Sequence, residues 1–145
     1  MSLAWQKRRE IILEVLFSFE FQKGDEKEII LLLMQEHKVS KKNAFEAYAA
    51  ASEIFLKNEC LDASISQISH SFDISRIHLV ERNILRLAFW ELFFEKKLPK
   101  EIIISEAKRL GSKFATKEAA SFIHGLIDGL LKEKEKSDVR STCLP

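Results

Sequence analysis

The stretch "RIHLVERNILRLAFWELFFEKK", residues 76–97, constrains this chain more than any other. Apolar residues at 77, 80, 84, 87 and 88 recur at helical spacing, and 85, 89, 92 and 93 widen the stripe. A helix apolar around so much of its circumference is not stable on a surface, so other elements have to surround it. Pro99 is expected to end it.

The rest of the sequence supplies the surrounding helices. Helix one is expected over about 4–22, with Ile12, Leu16 and Phe19 in one stripe and Leu13, Phe17 and Phe21 in another, broken at Gly24. Helix two is expected over about 26–37 ("EIILLLMQEH"). Helix three follows over about 41–57, N-capped by Ser40, with alanines that allow a neighbour to approach closely. "LDASISQISHSF" (61–72) predicts a fourth helix, with Leu61, Ile65, Ile68 and Phe72 on one face. Helix six is expected over 100–114, closing near Gly111. Helix seven is expected over about 117–132, capped by Thr116, with Phe122, Ile123, Leu126, Ile127 and Leu130 inward. Only 4 glycines and 2 prolines interrupt 145 residues, which excludes a turn-rich β protein and places the chain in the all-α class. No repeat or linker divides it. It reads as one helical domain, residues 1–132, with a flexible charged tail at 133–145 ("KEKSDVRSTCLP" and its flank).

Catalysis finds no support. His37, His70, His78 and His124 show no metal-ligand spacing with one another or with Cys60, and HExxH, CxxC and glycine-rich phosphate motifs are missing from the sequence. No enzyme, metal or cofactor is expected. Two cysteines, Cys60 and Cys143, do not make a disulfide framework, and with no signal sequence they point to the cytoplasm. The longest apolar run, "IILLLM" (29–34), is far shorter than the roughly 20 residues of a membrane span.

Binding remains. A formal net charge of +1 carries no information, so local distribution decides. Lys7, Arg8 and Arg9 sit in the first turn of helix one, where the helix dipole favours anions by about 0.3–1 kcal/mol per charge. Two readings are open: a solvated terminus, or a surface completed by phosphate. Trp5 beside them either stacks on an unpaired base or folds back on the helix. Arg82 and Arg86 are a like-charge i, i+4 pair, with Arg86 one turn before Trp90 and in stacking reach of it. Lys108, Arg109 and Lys113 form another basic group. Arg86 and Lys113 are counted with Lys7, Arg8 and Arg9 as candidate contacts to a nucleic-acid backbone, and the default for Phe122 is core.

"ERNILRLAFWEL" (81–92), "LPKEIIISEAKRLGSKF" (98–114) and "SFIHGLIDGLL" (121–131), in this order and spacing, resemble the NusB transcription antitermination factors. The likeness is strong over 76–131, moderate over 5–22 and weak over 25–72. It implies about seven helices in two small bundles and a non-catalytic protein. It also implies binding of the boxA element of ribosomal RNA leader transcripts together with NusE, a small-subunit ribosomal protein, within an RNA polymerase antitermination complex. By this likeness Lys7, Arg8 and Arg9 contact RNA, Phe122 and Glu118 lie near the RNA surface, and Glu81 faces NusE. The chain departs from the family pattern at Trp5 and Gln6, where basic residues are usual, and at Ser105 and His124, where Asn is usual. A homodimer is possible. The alternative is a non-catalytic helical protein–protein scaffold.

Overall fold

The computed structural model describes residues 4–21, 24–68 and 77–134. They form seven α-helices: α1 (Trp5–Glu20), α2 (Glu26–His37), α3 (Lys41–Leu56), α4 (Asn58–Ile68), α5 (Leu79–Trp90), α6 (Lys100–Phe114) and α7 (Lys117–Lys134). A π-helical stretch, Glu91–Glu95, extends α5. The all-α expectation holds, and the chain divides into two compact units, residues 1–56 and 57–145. No helix among the described residues is long and apolar enough to cross a membrane.

In the first unit α1 and α2 both pack on α3. Ile11, Ile12, Leu13, Val15 and Leu16 of α1 are buried, as are Ile29, Ile30 and Leu33 of α2. The buried face of α3 is Ala44, Ala47, Ala50, Ala51 and Ile54, the small-residue surface expected from the sequence. Phe19 closes one end, edge-on to Tyr48 at 5.4 Å and tilted against Phe55 at 5.3 Å. Phe21 does not continue the α1 stripe; it follows the last helical residue and is 63% exposed. Gly24 takes φ +76°, a conformation that stops the chain from continuing as helix. Asp25 and Ser40 then cap α2 and α3 by accepting from the N–H groups of Glu28 (2.9 Å) and Asn43 (3.1 Å).

In the second unit α5 is the centre. Every residue from Asn83 to Trp90 is buried, and α4, α6 and α7 all pack on it. Leu61 and Ile65 of α4 point inward as expected, but α4 starts at Asn58 rather than at 61, because the Lys57 carbonyl already accepts the Leu61 N–H (2.9 Å). The expected positions Phe72 and Arg76 lie outside the described residues. Pro99 does not end the long helix. That helix closes at Lys96, which adopts φ 56° and donates to the Glu91 carbonyl (3.0 Å), while the Pro99 carbonyl opens α6 by accepting from Ile102 and Ile103. In α7, Ile123 and Ile127 are buried while Phe122 and Leu126 are half-buried. Thr116 caps it by accepting from the Ala119 N–H at 2.9 Å. The helix continues past 132 to Lys134; the positions from 135 on, Cys143 among them, lie outside the described residues.

Gly111 is not a helix end. It lies inside α6, buried where α6 meets α7. A Cβ there would come 3.0 Å from the Ala120 Cα and 3.1 Å from Ile123 Cδ1, so glycine sets the helix separation. Gly111→Val is therefore expected to cost about 1–3 kcal/mol by overpacking. Urea unfolding measures it, and an unchanged midpoint would show that the two helices separate without strain.

Candidate nucleic-acid interface

The start of α1 answers how three cations tolerate an unfavourable helix end. The N-cap is Ala4, which offers no side-chain acceptor, and no acidic residue occupies the first turn. Trp5 offsets part of this for two of the three. The Arg8 guanidinium lies 5.0 Å from the Trp5 ring centroid and that of Arg9 lies 5.9 Å from it. Tryptophan followed at i+3 and i+4 by arginine lets one ring face two cations across a helical turn. Trp5 therefore folds against its own helix and is 37% exposed. Arg9 corrects the expectation of three surface cations: it is 1% exposed and forms part of the interior. Lys7 and Arg8 remain half-exposed.

Arg86 requires a second correction. It does not face outward; its side chain is 5% exposed. Nε and Nη2 each donate to one carboxylate oxygen of Asp62, both at 2.7 Å, and Nη1 donates to Asn83 Oδ1 at 3.0 Å. This two-pronged geometry is the strongest form of ion pair, and it ties α4 to α5. Arg82 donates from Nη2 to the Ile77 carbonyl (2.9 Å), so each arginine of the i, i+4 pair has its own acceptor.

The remaining positions lie toward solvent. Glu81 is half-exposed in the first turn of α5. Glu118 is exposed in the first turn of α7, where a carboxylate suits the helix dipole, and half-buried Phe122 lies four positions on along the same face. His124 is exposed. Lys113 is exposed near the end of α6, its Nζ 5.6 Å from the Phe114 ring centroid. It borders an open depression of about 520 Å³ lined by Ser105, Lys108, Arg109, Ser112 and Lys113.

One histidine joins a polar cluster that the sequence reading overlooked because it weighed His only against His and Cys. His37 Nε2 lies 3.3 Å from Glu14 Oε1 and 3.9 Å from Glu36 Oε2. Donor atoms of the three groups lie within 4.8 Å of one another, an O,O,N set of the kind that holds divalent cations. Two half-exposed carboxylates and a hydrogen-bonded imidazole also satisfy one another without an ion. Burial pushes the Glu14 carboxyl above the ordinary carboxylate range, the hydrogen bond and charge of Glu36 push the same way, and His37 opposes them.

The NusB family model matches residues 6–132. The chain belongs to the NusB family. A Chlamydia pneumoniae transcription antitermination protein NusB is 32% identical over 133 residues, covering 92% of this chain and 83% of that one. The T. maritima NusB structure superposes with TM-score 0.76 at 29% identity, covering 94% of this chain and 98% of that one. A crystal structure of antitermination factors NusB and NusE in complex with dsRNA superposes with TM-score 0.73 at 23% identity, covering 88% and 96%, a likeness of fold. The NusB family is non-catalytic, and this member is not an enzyme.

The Glu14 environment gives a pH dependence. A carboxyl raised in the folded state contributes its full stability at pH below the ordinary carboxylate range, and that contribution is lost as pH rises through the raised value. Glu14→Gln is expected to melt higher than wild type at neutral pH, with the gap closing on acidification. Thermal melts across pH check this; a variant that melts lower at neutral pH would mean that the His37 contact outweighs burial and Glu36.

Proposed function

We propose that this protein is a transcription antitermination factor that binds the boxA element of ribosomal RNA leader transcripts together with NusE, and so promotes processive rRNA transcription within the RNA polymerase antitermination complex. The observation that carries this reading is the family match across residues 6–132, with a curated NusB relative at 32% identity. A protein of the same fold is assembled with NusE and double-stranded RNA, which supports the choice of partners. Such a factor works on nascent transcripts and belongs in the cytoplasm.

Lys7 and Arg8 are the RNA-contacting cations of α1 in this reading. The first turn offers N–H groups and positive potential, and a phosphate relieves the electrostatic misplacement of the cations. Trp5 holds Arg8 at a set position while keeping a partly open ring. Glu118 and Phe122 border the RNA surface on α7, and Glu81 faces NusE.

With NusE present, boxA RNA is expected to bind more tightly than a scrambled RNA, and more tightly than without NusE, with affinity falling as salt rises. Replacing Lys7 and Arg8 together by Ala should weaken binding to all RNA sequences alike. An affinity titration measures both. Equal affinity for boxA and scrambled RNA with NusE present would overturn the reading in favour of a protein-only scaffold.

A further inference from the structure

One face of α6 carries a cationic surface that the N-terminal cluster does not explain. Ser105, Lys108, Arg109 and Ser112 follow the i, i+3, i+4, i+7 spacing of a single helical stripe, and Lys113 adjoins its end. Together they line the open depression of about 520 Å³. From Ser105 to Ser112 the helix rises about 10 Å, at roughly 1.5 Å per residue, enough to follow more than one unit of an extended polymer. The depression is open, which suits a chain lying across it better than an enclosed small molecule.

Its chemistry is that of a phosphate seat. No acidic residue lines it. Arg109 donates from Nε and Nη2 to the two carboxylate oxygens of Glu106, both at 3.0 Å, and Glu106 is 8% exposed. That buried carboxylate fixes the arginine in place and balances its charge, and Lys108 and Lys113 lie exposed on either side of it in sequence. Ser105, Ser112 and both lysines are exposed, so two hydroxyls stand among two ammonium groups. The exposed Phe114 brings an aromatic ring to the Lys113 end, the pairing of stacking surface and cation that single-stranded nucleic acid uses.

We propose that this α6 face is a second RNA-contact strip, which seats backbone phosphates through Lys108, Lys113, Ser105 and Ser112 without reading bases. The proposal rests on the RNA-binding reading above. It gives the exposed Ser105 hydroxyl a place as a donor to phosphate.

The test titrates boxA and scrambled RNA against the full chain with NusE over a salt series. The proteins are wild type, the Lys108→Ala/Lys113→Ala double variant, and the Lys108→Arg/Lys113→Arg double variant. Both lysines are exposed, so the variants are expected to keep the wild-type melting temperature. Losing two phosphate contacts should lower the log–log salt slope by about 1.4, at about 0.7 per contact on a single strand. The boxA-to-scrambled ratio should stay constant, and the arginine pair should restore the slope. A salt-dependent wild type whose Ala variant keeps the same slope would overturn this strip while leaving the RNA reading intact. A wild type that does not bind RNA would overturn both. Two further results would also overturn it: inorganic phosphate displacing RNA at equal phosphate concentration, which marks a free-anion site, or the Ala variant losing NusE affinity in the absence of RNA.

Discussion

The second unit is organised around the ion pair of Arg86 with Asp62. Burying a guanidinium in an apolar helix is unfavourable unless its charge and its N–H groups are all matched. Asp62 meets it at two points 2.7 Å apart from the donors, and Asn83 takes a third N–H, so the central helix carries a cation through its interior. The match fixes more than charge. Two parallel hydrogen bonds join α4 to α5 at a fixed point, while packing of α4, α6 and α7 buries the side chains from Asn83 to Trp90.

The same reasoning divides the cations of the chain by role. Arg9 and Arg86 are interior groups, one beside an indole and one on a carboxylate. Arg109 is held by a buried carboxylate at the edge of a depression. Lys7, Lys108 and Lys113 stand toward solvent, and Arg8 bridges the two classes by resting on Trp5. Lysine keeps its charge in water on a flexible stem, whereas the arginine fork suits fixed partners. Surface lysines beside held arginines suit a polyanion recognised by its backbone rather than by its sequence.

The helices were legible because their signals are local. Periodicity located all seven, and Ser40, Gly24 and Thr116 marked boundaries by well-understood turn and cap chemistry. Gly111 and Pro99 misled because each has two uses: glycine permits close packing as well as helix ends, and proline starts helices as well as stopping them. The candidate site was less legible. Trp5 with Arg8 and Arg9 lay within reach of an i+3, i+4 argument, as did Glu106 with Arg109. Asp62, 24 positions from Arg86, did not, because sequence spacing holds no record of which distant residue a folded helix brings near, and Trp90 one turn away looked equally suitable.

In the proposed division of roles, Arg86 holds the fold and the exposed cations meet RNA. Arg86→Met tests it most directly, with urea unfolding and the RNA salt slope measured on the same protein. Removing one partner of the pair should cost about 3 kcal/mol of stability, and the folded variant should keep the wild-type slope. Stability within about 0.5 kcal/mol of wild type, together with a slope lowered by about 0.7, would contradict the account and return Arg86 to the RNA surface.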